Sequence, residues 1–248
     1  MTVLRKMTWV ELKLFLREPL TVIFTLALPL VVLFILGGVF GNTPDPEGVV
    51  YRGVGAMDYY VPAYIGLVIA SVGLVGLPMH LAAYRERGVL RRFKASSVPA
   101  GNVVGSQVAV TMISAAAGSL LLMAAARLAY SFQAPHAPEQ VVLAFVLAAL
   151  SFSALGVLLG ALLPTARAAQ GAGILLWFVM LFIGGAGPPP EVLTDSMRFV
   201  AQLTPLQHAI TLLQDPWLGF GWNWRETLVV AGITAASALI ALRFFRWE

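Results

Sequence analysis

Residues 59–84 read YYVPAYIGLVIASVGLVGLPMHLAAY, and residues 85–94 read RERGVLRRFK. The first stretch holds no Asp, Glu, Lys or Arg and is longer than the about 20 residues a helix needs to cross ~30 Å of hydrocarbon. The second packs five basic residues and Glu86 around Val89, Leu90 and Phe93. A continuous apolar run that stops at a block of charge is what a membrane span looks like where it meets water. Its residues do not alternate in polarity, and an open sheet facing lipid leaves its backbone unsatisfied, so the reading is helix.

Working outward, four more runs free of charge predict helices, giving spans at about 20–40, 59–83, 104–127, 140–163 and 168–187. A sixth candidate, Thr227–Leu242, has only 16 uncharged residues. It spans as 223–243 if Arg225 and Arg243 extend their charges towards the interfaces, or if the bilayer thins. The expected fold is therefore all-α and integral to the membrane. Composition agrees: 59% of the 248 residues are hydrophobic, 11% are charged and the mean hydropathy is +0.84. A soluble domain carries about 25% charged residues, and this chain has less than half of that.

The sixteen Lys and Arg divide unevenly across six spans. Twelve fall with the N-terminus, the 85–94 loop, Arg167 and the C-terminus; Arg52, Arg127, Arg198 and Arg225 fall on the other side. This bias places both termini in the cytoplasm, with aromatic belts at Trp217, Phe220, Trp222 and Trp224 outside and Trp9, Tyr84, Phe93, Phe244 and Trp247 inside. It also accounts for the net charge of +4 without nucleic acid, for which no stacking platform is present. The first apolar run is too long, and too far from the N-terminus, for a signal peptide.

Three segments outside the spans have their own pattern. Residues 2–18 set Lys6, Lys13 and Arg17 on one stripe beside Val3, Met7, Val10 and Leu14, with Leu12, Phe15 and Leu16 on a second apolar face. They predict a helix along the inner membrane surface, one face towards lipid and one towards protein. Residues 84–99 describe a short helix with a small apolar side and a charged side able to dock on a protein, or else a solvated loop. Residues 188–222 are too many for a plain connection. Within them Thr204-Pro205-Leu206-Gln207 is a capping box, followed by Leu206, Ala209, Ile210 and Leu213 at helical spacing. That helix is expected to enter the membrane part-way and to stop at Asp215-Pro216. Gly41 to Asp58 reads as loop.

Several chemistries are excluded. There is no cysteine, hence no disulfide, thiolate zinc site or iron–sulfur cluster. Lys6, Lys13 and Lys94 do not follow glycine, so no phosphate-binding loop is present and the chain is not expected to hydrolyse ATP. His80, His136 and His208 have no metal-ligand spacing, and His80 is expected at the inner interface. The five clear spans carry no ionisable residue near their centres, which disfavours a proton- or sodium-coupled carrier. They are instead rich in small residues: Gly156 and Gly160 form a GxxxG pair, and Gly73, Gly76, Gly171, Gly173, Gly184 and Gly185 permit close helix approach. Pro29, Pro62 and Pro78 are expected to kink the first two spans. Such a weakly polar path suits an apolar or amphipathic cargo.

Together, a surface helix, six spans, a charged loop after span two and a part-inserted segment before the last span resemble a type-2 permease of the ATP-binding-cassette (ABC) exporters. The sharpest match is Glu86-Arg87-Gly88-Val89-Leu90-Arg91-Arg92-Phe93 with Ser96, Ser97 and Pro99, similar to the family's Glu-x-Gly-Thr-Leu-x-x-Leu…Pro loop, with Val89 for threonine and Phe93 for leucine. Leu203-Thr204-Pro205-Leu206-Gln207-His208-Ala209 resembles the proline-containing segment before the last span. The resemblance covers residues 1–248 as one transmembrane domain, and is strongest to drug-resistance permeases of the daunorubicin type and lipid-efflux permeases. It implies that 84–99 is a coupling helix whose ATPase-coupling residues are Glu86, Arg87, Gly88, Leu90, Arg91, Arg92 and Phe93, with Glu86, Arg87, Arg91 and Arg92 as charged contacts and Leu90 and Phe93 as apolar ones. It further implies two cytoplasmic ATPase subunits that bind the ATP and Mg, a second permease copy, no cofactor in this chain, and the cytoplasmic membrane of a prokaryote. Trp177, Phe178 and Phe182 are candidate pathway residues, which would favour a polysaccharide or lipid-linked glycan cargo. A carrier or structural subunit working without nucleotide remains the alternative of a different class.

Overall fold

The computed structural model describes residues 3–17, 19–44, 50–96 and 99–244. Thr2, Glu18, Ser97, Arg246 and Trp247, all used above, lie outside the described residues. Helix α1 (Val3–Phe15) precedes a first span in three pieces: α2 (Pro19–Val22), a π-helical turn (Ile23–Ala27) and α3 (Leu28–Phe40). The second span is built the same way, from α4 (Ala56–Ser71), a π turn (Val72–Gly76) and α5 (Leu77–Glu86). After it come α6 (Val89–Ala95), α7 (Ala100–Ala129), α8 (Pro138–Leu162), α9 (Ala166–Ile183), α10 (Asp195–Ala201), α11 (Pro205–Leu218) and α12 (Trp224–Phe244). The described residues are all-helical with short connections, as expected. Five helices are long and apolar enough to cross a membrane, and Leu28–Phe40 is a shorter apolar one. Joined to Pro19–Ala27 it makes the sixth.

The last span is longer than its uncharged core. Its 21 residues take in Arg225 and Glu226 in the first turn and Arg243 in the last, so the charges sit at the ends. The two π turns share a cause. Pro29 and Pro78 each sit in the first turn of the α-helix after the π turn. A proline inside a helix removes one N–H and pushes its ring at the carbonyl four residues back, and the wider turn accommodates both. Pro62 lies inside α4.

The second span is the axis of the bundle. Every residue from Ala56 to Ala82 is buried, with α7, α8, α9 and α11 packed around it. Two glycines permit that approach. A Cβ at Gly156 of α8 would overlap the carbonyl oxygen of Gly73, and one at Gly173 of α9 would overlap that of Leu74. Both carbonyls belong to the π turn, so α8 and α9 rest directly on its backbone. Gly160 continues the seam against Pro78 and Leu81. His80 is buried in this packing.

Helix α1 packs on α7 and buries Glu11 and Phe15, with Leu12 half-buried, while Val3, Trp9 and Val10 stay exposed; of the second apolar face expected, Leu16 is exposed beyond the end of the helix. Two expectations fail at the far end. Helix α11 does not stop at Asp215-Pro216 but runs to Leu218, with Pro216 inside it, and ends at Gly219 in the left-handed region (φ 87°). The turn before α8 supplies the reason: Ala137 and His136 donate their N–H groups to the carbonyls of Pro216 and Trp217, at 3.2 and 3.1 Å. Trp217 is not in an outer belt. It is buried, and its Nε1 donates to the Gln133 carbonyl at 3.2 Å. Among the described residues of the 41–58 stretch, read as loop, Tyr51–Gly53 form a 3-10 turn, and α4 starts at Ala56.

Candidate functional site

The charged segment after the second span forms an elbow. Helix α5 ends at Glu86, and Gly88 turns the chain in the left-handed region (φ 66°), its N–H donating to the Arg85 carbonyl at 3.0 Å. That backbone favours glycine, because a Cβ there meets the following carbonyl. Helix α6 then leaves with Arg87, Arg91 and Arg92 exposed and Leu90 fully buried. Phe93 is half-buried, its ring edge-on to Tyr84 at 6.2 Å. The structure thus divides the expected contact set. Arginines face out; Leu90 and Phe93 fasten the elbow to the bundle.

Glu86 faces another element. Its Oε2 accepts the backbone N–H of Ala166 at 3.0 Å, which caps the first turn of α9 with a carboxylate. Arg85 beside it donates to the carbonyls of Ala161, at 2.7 Å, and Leu163 at the end of α8. The end of the second span therefore holds both sides of the α8–α9 turn. A third tie runs to α1, where the Tyr84 hydroxyl donates to the Glu11 carboxylate. Burial pushes the Glu11 carboxyl above its ordinary range, and the hydrogen bond from Tyr84 opposes this. Nothing in the sequence brought Glu11 forward, because a lone Glu on an amphipathic helix reads as surface.

At the far end, roughly 46 Å along the 31-residue second span at 1.5 Å per residue, lies a cavity of about 840 Å³. Its walls include Val32, Leu36 and Phe40 from the first span, Tyr51 and Tyr60, and Leu181 and Phe182 from α9. No charged side chain lines it among the described residues. Of the three aromatic residues expected along a pathway, only Phe182 is on this wall. Trp177 is fully buried and donates to the Leu67 carbonyl at 3.4 Å; with Phe178 and Phe24 it forms an edge-to-face cluster at 5.2–5.8 Å between the first span and α9.

The rim of the cavity is tied to α11 and to the residues on either side of it. Tyr51 and Arg52 both adopt positive φ, 56° and 57°, a conformation costing about 1 kcal/mol or more in a residue with a side chain. The turn is held by Arg52, which pairs with Asp215 at 2.6 Å and lies over the Phe220 ring at 4.4 Å. The Tyr60 hydroxyl donates to the Gly187 carbonyl at 2.9 Å. Neighbouring aromatic residues at 51, 59 and 60 were visible in the sequence; the backbone conformation that gathers them was not.

Compared with known families, residues 2–218 match the model of the ABC-2 type transporter. The chain belongs to the ABC-2 type transporter family. The match includes the elbow, the cavity and α11, and ends before α12. ABC-2 domains are the membrane components of ABC transporters, so this chain is a multi-pass permease whose family implies an ABC ATPase partner. No curated protein matches it.

Proposed function

We propose that this ABC-2 permease exports hydrophobic or amphipathic compounds, drugs or lipids, across the cytoplasmic membrane of a prokaryote. The observation that carries the reading is the far-end cavity. Its volume suits a drug-sized molecule, and among the described residues its wall offers apolar and aromatic surface with few polar groups, which favours burial of apolar area over hydrogen bonding to sugar hydroxyls. Both termini and the elbow lie on the cytoplasmic side in this reading. Arg87, Arg91 and Arg92 meet a cytoplasmic ATPase that binds ATP and Mg, and two permeases and two ATPases make the working unit. The chain itself has no catalytic role. A drug-efflux permease of the daunorubicin type fits these features, and a polysaccharide exporter is the second reading.

The test is transport in reconstituted vesicles with the partner ATPase. Phe182→Ala and Phe40→Ala should each reduce ATP-driven movement of a fluorescent apolar dye several-fold while leaving ATPase binding intact. Arg91→Glu with Arg92→Glu should weaken ATPase pull-down while membrane insertion persists. Unchanged dye transport in the cavity variants together with export of a lipid-linked glycan would move the assignment to the second reading. Full transport without any ATPase would end both.

A further inference from the structure

The re-entrant segment meets the last span at a group of atoms whose hydrogens do not balance at neutral charge. His208 of α11 places Nδ1 2.5 Å from Oε2 of Glu226, in the first turn of α12, and Nε2 2.8 Å from the carbonyl oxygen of Gln202, in the turn before α11. A carboxylate and a carbonyl are both acceptors. A neutral imidazole has one N–H, so it satisfies one of them and points a lone pair at the other. Both contacts form only when the pair holds one proton more than a neutral ring and an ionised carboxylate, either as imidazolium with carboxylate or as imidazole with carboxylic acid. Glu226 is 6% exposed, so water does not readily replace the ring at its carboxylate, and the contact that gives way first is the exposed one to Gln202.

From this geometry we infer that His208 and Glu226 form a proton-held latch, which fastens the re-entrant helix to the last span and loosens when the pH on that side of the membrane rises. The groups around it are few. The charges bearing on the ring among the described residues come from α12: Glu226, which favours protonation, and Arg225, which opposes it with its Nη1 3.9 Å from Glu226 Oε1. The other acid on α11, Asp215, is engaged by Arg52 and by Asn223 Nδ2 at 2.6 Å. Asp58 of α4 is engaged by the Gln133 N–H at 2.6 Å. The hydrogen bond that the ring donates to Glu226 raises it above the ordinary imidazole range. The sign follows: a group whose protonation is favoured by folding gives its full contribution below about pH 6.5 and loses it as the pH rises through the folded value.

The latch sits where it can matter. Asn223, which holds Asp215, also accepts the Glu226 N–H at 3.0 Å, so the start of α12, the end of α11 and the strained Tyr51–Gly53 turn at the cavity rim are one connected network. Releasing His208 frees the Gln202 turn from α12 and leaves the other end of α11 anchored.

The experiment uses the full chain in lipid nanodiscs and exploits its lack of cysteine. Spin labels on Leu203→Cys and Leu228→Cys, both on exposed residues flanking the latch, report the separation of the Gln202 turn from α12. One narrow distance is expected at about pH 6, with a second, longer population growing as the pH approaches about 9. Glu226→Gln supplies the missing hydrogen from its carboxamide and should keep the short distance at every pH. A distribution in the parent chain that does not change with pH, or a change that persists in Glu226→Gln, would overturn the proposal. If Glu226→Gln does not fold, nitrogen NMR of His208 decides: a midpoint above about 6.5 supports the latch, and one at or below it refutes it.

Discussion

Two glycines on one helix should respond to the same substitution with opposite signs. Gly173 and Gly171 lie two residues apart on α9, which turns them to different faces. A Cβ at Gly173 overlaps the Leu74 carbonyl oxygen and comes to 2.8 Å from its carbon and 3.3 Å from Val75 Cα; around Gly171 nothing lies within 4 Å. All the atoms met at Gly173 are backbone of the central π turn, so no side chain can rotate away and the two helices must part. Overpacking of this kind costs about 1–3 kcal/mol, and rigid neighbours put it in the upper half. Replacing a helical glycine by alanine returns up to about 1 kcal/mol. Gly173→Ala is therefore expected to lose about 1–2 kcal/mol net, and Gly171→Ala to gain a few tenths to 1. The two should differ by about 2–3 kcal/mol, roughly 30- to 150-fold in the unfolding equilibrium. Reversible unfolding in mixed SDS micelles, followed by tryptophan fluorescence, measures both. If Gly173→Ala is as stable as Gly171→Ala, α9 does not rest on the π turn and the account of the bundle axis fails.

Two further outcomes follow from the elbow end. Glu11 has its carboxyl raised by burial, so its contribution to stability is full below about pH 4.5 and is lost as the pH rises through the higher folded value. Glu11→Gln keeps an acceptor for Tyr84 and should stabilise the chain at pH 7 but not at pH 4, read from thermal unfolding at the two pH values; equal effects at both would refute the assignment. Gly88→Ala meets no neighbour within 4 Å and so isolates backbone strain: a loss of about 1–2 kcal/mol is expected from φ of 66°, and a neutral result in the same unfolding assay would mean the elbow relaxes elsewhere.

Much of the fold was legible because a membrane span is written locally, as length without charge. The 59–84 run gave the bundle axis for that reason. The same criterion understated the last span, since Arg225, Glu226 and Arg243 belong to α12 and lie in its end turns. What was not legible depends on partners distant in sequence. Glu86 is exposed on the elbow, but the N–H it accepts lies 80 positions on; Pro216 was read as a stop, but the N–H groups that satisfy the carbonyls of Pro216 and Trp217 come from residues 136 and 137. Trp177, Phe178 and Phe182 were grouped as aromatic pathway candidates, and the bundle buries the first, leaves the second exposed and sets the third on the cavity wall.

The connections at the elbow bear on how force would pass through the permease under the proposed coupling role. A push on α6 arrives at the Gly88 turn, where Arg85 and Glu86 hold the α8–α9 turn and Tyr84 holds α1. The displacement therefore loads three other elements at once and does not travel along the second span alone. That span is buried from Ala56 to Ala82, and its hydrogen-bond ladder is widened at Val72–Gly76, where α8 and α9 lean on the backbone through Gly156 and Gly173. If the three elements move with the elbow as one body, the π turn is the point about which the far half, with Tyr60 on the cavity wall, changes its angle. A side chain added at Gly173 would then alter the hinge as well as the packing, so Gly173→Ala should lower transport more than its loss of stability alone accounts for.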